Sequence, residues 1–274
     1  MTSSPELASL FLFVPADRPE RFAKAAASGA DAIIIDLEDA VAADQKAPAR
    51  AALTSHDDAL RNAGRPVFIR INGTTTRWHD DDLAAVERLA VSGIILPKAE
   101  SASTLAALRQ RLAGKLLIAL VETAAGLSSV DEIATACDRI AFGSVDYAAD
   151  LGCAHHRDAL LLARSRIVLA ARLASQPQPI DGVTLSIKDD EAVEQDARYA
   201  MKLGFGAKLL IHPAQVIAAR RGFSPSAEEI SWAEKVVATN LDGAASAING
   251  IMIDAPVLAR ARQILERQTR LTNG

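Results

Sequence analysis

The stretch AlaAspAlaIleIleIleAspLeuGluAspAlaVal at 30–41 decides the architecture, because an unbroken β-branched run is closed there by Asp36, Glu38 and Asp39. A strand that is apolar on both faces is covered on both faces, as in a parallel sheet flanked by helices. Seven more such runs occur, at Leu10 to Val14, Val67 to Asn72, Gly93 to Pro97, Leu116 to Glu122, Arg139 to Gly143, Ile180 to Val183 and Lys208 to His212, making eight in all. Between them lie alanine-rich stretches with helical spacing, among them Pro19 to Ser28, Leu83 to Ala90, Ser103 to Leu112, Val130 to Cys137, Ala159 to Ala174 and Glu191 to Leu203. Strand then helix, repeated eight times, closes most simply into an α/β fold of the (β/α)8 TIM barrel type.

The turns agree. Gly29, Gly64 and Gly204 each stand where a helix must stop before the next strand. Residues 1–223 are expected to form the barrel and 224–274 a C-terminal helical extension, with helices over Ala227 to Thr239 and Pro256 to Arg267. Residues 240–254 read as a lid or inter-subunit segment, since so short a piece cannot bury a core of its own.

Composition narrows the function. The chain has 274 residues, 50% of them hydrophobic and 23% charged, which excludes a disordered solvating chain. A net charge of -4 and a pI near 5.8 give no footprint for nucleic acid. Two cysteines, Cys137 and Cys153, sit in no CxxC spacing, so disulfide scaffolds and zinc ribbons fail and a reducing, cytoplasmic setting fits. The opening MTSSPELASLFLFVP lacks the basic flank of an export signal, and its apolar run is too short for a membrane span.

In such a barrel the chemistry lies at the C-terminal ends of the strands. There stand Asp36, Glu38 and Asp39, then Arg70 and Asn72, Lys98 and Glu100, Glu122 and Thr123, Asp146, and His212. Taken singly, an acid after a strand is more often a helix cap or a solvated loop charge than a ligand. Several carboxylates converging on one mouth, however, repel each other unless a cation neutralises them. Glu122 and Asp146 end adjacent strands, within reach of one ion, and oxygen-only ligation with few protein ligands favours Mg2+, leaving positions for water and substrate oxygens. Zinc would want histidines, and His155 and His156 are neighbours that face different ways.

Arg70 suits a substrate carboxylate by its planar fork, or equally a salt bridge to the Asp36, Glu38 and Asp39 cluster. Lys98 suits the neutralisation of Glu38 or Glu100, His212 a satisfied strand-end role, and Cys137 packing. No GxGxxG or GxxxxGK[ST] loop occurs. Arg18, Arg21 and Lys24 follow the first strand at a helix start, suited to a phosphate or CoA-like diphosphate, although solvated helix charges are the default.

At these strand ends the sequence resembles the citrate lyase β-subunit (CitE-like) family of the HpcH/HpaI aldolase superfamily, which includes malyl-CoA and citramalyl-CoA lyases. The resemblance rests on ordered stretches over nearly the whole chain: LFVPADRPERF at 12–22, DLEDAV at 36–41, IRIN at 69–72, PKAES at 97–101, VETAAG at 121–126, FGSVDYAADLG at 142–152, KLGFGAKLLIHPAQ at 202–215 and GIMIDAP at 250–256. It implies Glu122 and Asp146 as Mg2+ ligands and Arg70 as the residue binding the oxo-acid carboxylate. It also implies Asp254 as an acid/base carried over a neighbouring subunit's barrel, in a homotrimer or multiple of trimers. Glu122, Arg70, Arg18 and Lys24 are then the substrate contacts, with Asp36, Glu38, Asp39 and Lys98 behind them. Two positions depart from the family pattern: Ala16, where relatives often have glycine, and Ala125, where many have arginine.

The activity so implied is Mg2+-dependent cleavage, or formation, of a 3-hydroxy acyl thioester such as citryl-, malyl- or citramalyl-CoA. The products are a 2-oxo acid and an acyl thioester, carried by CoA or by an acyl-carrier protein. Thioester hydrolysis and a catalytically idle binding subunit are the alternatives.

Overall fold

A computed structural model describes residues 5–239, 246–248 and 251–272. In chain order it contains β1 (Leu10–Pro15), α1 (Phe22–Ala26), β2 (Ala32–Asp36), α2 (Lys46–Ser55), α3 (Asp57–Arg61), β3 (Val67–Arg70), α4 (His79–Arg88), β4 (Gly93–Leu96) and α5 (Ala102–Arg111). There follow β5 (Leu116–Val121), α6 (Ala124–Ser128), α7 (Val130–Ala136), β6 (Arg139–Phe142), α8 (Ser144–Leu151), α9 (Leu161–Leu173), β7 (Ile180–Asp181), α10 (Asp190–Leu203), β8 (Ala207–Leu210) and α11 (Gln215–Phe223). β1 to β8 are parallel and pair in sequence order, with β8 returning to β1 to close the barrel. All eight expected runs are strands. The helices over 46–61, which the sequence reading left unassigned, include Pro48 in the first turn of α2, where a missing N–H costs no helical hydrogen bond.

The period of two along each strand sorts the side chains. Phe11, Ile34, Phe68, Ile95, Ile118, Leu120, Ile180 and Leu209 belong to one cluster that fills the barrel. Leu10, Leu12, Ile33, Ile35, Ile69 and Ile94 belong to the cluster between strands and helices. Each fully buried Ile or Phe contributes about 1.5–3 kcal/mol. One step beyond Ile34, Phe68 and Leu120 on the inward face come Asp36, Arg70 and Glu122, so the apolar filling ends in a charged layer. Gly29 and Gly204 stop α1 and α10 in left-handed geometry, with φ of 89° and 106°.

Beyond the barrel, α12 (Ala227–Thr239), β9 (Ser246–Ile248), β10 (Ile251–Ile253) and α13 (Ala255–Thr272) form the extension, with β9 and β10 antiparallel. α12 and α13 bury Ala233, Val236, Ile253, Ala261 and Ile264 in a separate small cluster. The tail therefore carries a small apolar core, supplied by its two helices together with Ile253 of β10. Of the expected lid segment, 240–245 and 249–250 lie outside the described residues. Among the described residues no helix is long and apolar enough to cross a membrane.

Buried charge ties the top of the barrel to its helices. Asp82 on α4 is fully buried and accepts from the backbone N–H and the side-chain amide of Asn72 (2.9 and 2.6 Å) and from Arg50 Nε (2.9 Å). Removing one partner of such a cluster leaves the others desolvated and unpaired. Asp82→Ala is therefore expected to lower unfolding free energy by about 3–5 kcal/mol. Urea denaturation measures this, and a loss below about 1 kcal/mol would contradict the assignment.

Candidate active site

At the C-terminal mouth lies a cavity of about 480 Å³ lined by Asp36, Asp39, Arg70, Glu122 and Asp146 on one side and by apolar residues of β7, β8 and their loops on the other. Glu122 follows directly on β5 and is 2% exposed. Thr123 caps α6 by accepting from the Gly126 N–H at 3.0 Å, which ends the strand there. Glu122 Oε1 accepts from the Lys98 N–H at 2.8 Å. That N–H is aimed by a left-handed backbone at Lys98 (φ 47°), a conformation costing a non-glycine residue about 1–3 kcal/mol. A Cβ on Gly143 would overlap the Glu122 side chain, so this glycine makes the room in which the carboxylate sits. Asp146 enters from the first turn of α8, half-buried, a position that favours an acid.

Arg70 is paired and yet lines the cavity. Its Nε and Nη2 donate to Asp36 Oδ1 and Oδ2 at 2.7 and 2.6 Å, a bidentate fork, and its guanidinium lies 4.8 Å from the Phe13 ring centre. Nη1 is 3.1 Å from Glu38 Oε2, an ionic contact off the hydrogen-bond axis that leaves this buried oxygen without a hydrogen bond. The salt-bridge alternative for Arg70 is thus realised, and the side chain still lines the cavity. Burial opposes the Arg70 charge, but Asp36, Glu38 and Glu122 outweigh it and raise its pKa. Lys98 Nζ reaches Glu38 Oε1 at 3.3 Å, as expected.

The acids repel. Burial pushes the Glu122 carboxyl up to about 8, Glu38 and Asp146 adding to the shift and the Lys98 N–H and Arg70 opposing it. Glu38 is also raised, by burial first and then by Asp39 and Asp36, against Arg70 and Lys98. Among the described residues no three His, Cys, Asp or Glu side chains form a ready-made metal cage, so a cation here would take few protein ligands.

A model of the HpcH/HpaI aldolase/citrate lyase family matches residues 9–213, from just before β1 to just past β8. The chain belongs to that family. It is 41% identical over 277 residues to a citrate lyase subunit beta-like protein of Mycobacterium tuberculosis, with 96% of each chain covered. To a (3S)-malyl-CoA thioesterase of Cereibacter sphaeroides it is 33% identical over 261 residues, covering 94% of this chain and 92% of that one. The structure of CitE from M. tuberculosis in complex with magnesium, acetoacetate and coenzyme A matches with a TM-score of 0.86 at 38% identity, over 97% of this chain and 100% of that one. A citrate lyase beta subunit from the same organism, complexed with oxaloacetate and magnesium, matches with a TM-score of 0.70 at 39% identity, over 81% of this chain and 99% of that one.

Of the residues that the sequence singled out, Asp36, Asp39, Arg70, Glu122 and Asp146 meet in the cavity, with Glu38 and Lys98 against them. Arg18 and Lys24 are exposed and outside the lining. Asp254 is exposed at the start of α13, where its Oδ1 accepts from the Val257 N–H at 3.1 Å, and it does not line the cavity of its own chain. Sequence reasoning missed Lys46, whose buried Nζ donates to the Leu37 and Glu38 carbonyls at 2.7 Å each and so fixes the acidic loop after β2. It also missed Gln215, 1% exposed, which donates to the Thr184 and Ser186 carbonyls and accepts from the Ile211 and His212 N–H groups. A lysine and a glutamine in amphipathic helices carry no local mark of such roles; for Gln215 the position just after HisPro was the one available signal.

Because the folded Glu122 binds a proton between its ordinary pKa near 4.5 and about 8, and the unfolded chain does not, folding stability falls as pH rises through that window. In EDTA, Glu122→Gln is expected to melt several degrees above the wild type at pH 8, with the gap closing towards pH 5. Differential scanning calorimetry measures it; equal melting temperatures at pH 8 would contradict the desolvated carboxyl.

Proposed function

We propose that the chain is a Mg2+-dependent carbon–carbon lyase that cleaves or forms a 3-hydroxy acyl thioester, yielding a 2-oxo acid and an acyl thioester. The observation that carries the reading is the placing of Glu122 and Asp146 in one cavity with Arg70, the buried Glu122 being repelled by Asp146. Those residues fit a hard divalent cation. The donors Glu122 and Asp146 offer are carboxylate oxygens, burial first and then the neighbouring acids push Glu122 towards its neutral form, and Glu38 Oε2 is buried without a hydrogen bond beside them. The magnesium in the crystal complexes of the M. tuberculosis relatives supports the choice of metal.

Glu122 and Asp146 would hold the ion. When bound, it supplies Lewis acidity towards the keto or hydroxyl oxygen of the substrate. Arg70, locked by Asp36, presents its cavity-facing edge to the substrate carboxylate and fixes its orientation without rotamer freedom to lose. In condensation a carboxylate removes a proton from the carbon next to the thioester, and the resulting carbanion adds to the keto carbon; cleavage reverses both steps. We assign that carboxylate to Asp254 of a neighbouring subunit, since Asp254 is exposed and stands away from its own cavity. A homotrimer or multiple of trimers is proposed on that basis. Arg18 and Lys24 are proposed contacts for the phosphate-bearing end of the thioester, beyond the cavity itself.

Hydrolysis of the thioester is the second reading, favoured by the similarity to the (3S)-malyl-CoA thioesterase. Malyl-, citramalyl- and citryl-CoA, each incubated with the protein and Mg2+, separate the two. A lyase releases glyoxylate, pyruvate or oxaloacetate with an intact acyl-CoA; a thioesterase releases free thiol and a hydroxy acid with no oxo acid. Glu122→Ala is expected to reduce turnover by at least about 10³-fold with the far-ultraviolet dichroism unchanged. A fully active variant would refute the metal assignment.

A further inference from the structure

One helix of the barrel wall is apolar on both its faces. α9 buries Ala163, Ile167, Ala170 and Ala171 against the barrel, as an amphipathic helix should. Its outer face carries leucine as well: Leu161, Leu162, Leu169 and Leu173 are 41, 71, 53 and 72% exposed. At helical spacing these four share one side of α9 and form a stripe about 18 Å long. Single leucines scattered over a surface need no explanation, whereas a contiguous apolar stripe on one helix marks a surface that is covered in use.

The charges around the stripe say by what. Ser165 stands in its middle, exposed, and is small enough to let a second helix approach closely. Seven residues before it lies Asp158, whose side chain is 91% exposed. Seven residues after it lies Arg172, also exposed and without a salt bridge among the described residues. A copy of α9 turned end for end about Ser165 therefore brings each Arg172 opposite the other chain's Asp158, and sets Leu161 and Leu162 against Leu169. The helix dipoles then run antiparallel, which adds to the attraction. Arg166, the charge next to this axis, is already neutralised by Asp131 at 3.1 Å. The stripe is thus its own complement in shape and in charge.

We infer that α9 is a contact between two copies of this chain, antiparallel across a two-fold axis at Ser165, with the leucines buried and the ends joined by Asp158–Arg172 pairs. Such a contact presents the same patch from both sides, so it closes on itself and gives each chain one partner. No described residue of α9 lines the cavity, and the inference stands apart from the lyase reading and from the contact proposed for Asp254.

Sedimentation velocity of the full-length protein across a dilution series tests it. The wild type is expected to sediment as an even-numbered assembly. Leu169→Glu, which places two carboxylates in the seam, is expected to have half that mass with unchanged far-ultraviolet dichroism, since Leu169 is exposed in the single chain. Arg172→Asp turns two attractions across the axis into two repulsions and is expected to weaken self-association about tenfold. Adding Asp158→Arg restores both pairs in the opposite sense and is expected to bring association back to within about threefold of the wild type. An odd-numbered wild-type assembly overturns the inference, as does a Leu169→Glu mass that is unchanged or falls to a third. A double reversal as weak as the single one overturns it too.

Discussion

Four carboxylates face one guanidinium at the mouth of this barrel, and the rest of the site is arranged around that imbalance. Asp36 takes the fork of Arg70, Glu38 takes what remains together with Lys98, and Glu122 is left with a single backbone donor and like charges on two sides. A site of this kind is costly to the empty protein and apt for a cation, since a charge repelled in the apo state becomes an attraction once a divalent ion enters. Stability is given up locally at this mouth, and the largely apolar filling beneath, with Arg139 buried against Phe11, supplies the margin.

The geometry that concentrates these charges is set by the strand period. Residues two apart share a face, so the inward series Ile34 to Asp36, Phe68 to Arg70 and Leu120 to Glu122 end at one level. Parallel pairing keeps them there: Asp36 lies opposite Arg70 in the register of β2 and β3. Gly143 at the next position around the barrel supplies no side chain, and its absence of a Cβ is what admits Glu122.

Much of this was legible in the sequence because it follows from local pattern. Eight apolar runs punctuated by glycines specify the closed sheet, and the acids at their ends mark the mouth. The helical pair after β2, α2 and α3, was not legible, since Pro48 and a weak apolar stripe disguise a helix that tolerates proline in its first turn. Nor were Lys46 and Gln215, whose roles depend on carbonyls brought close only by the fold. For Arg70 the sequence left a clamp and an ion pair as rivals; the fold shows Nε and Nη2 on Asp36 and Nη1 in ionic contact with Glu38, a division that spacing along the chain does not encode.

The central claim is that Glu122 and Asp146 grip the same hard ion. Crystals grown with Mn2+ in place of Mg2+ and measured at the manganese absorption edge test it most directly. The account predicts one anomalous peak in the barrel mouth, at coordination distance of roughly 2.1 Å from a carboxylate oxygen of each residue. A peak touching one of them alone, or lying outside the mouth, would contradict it.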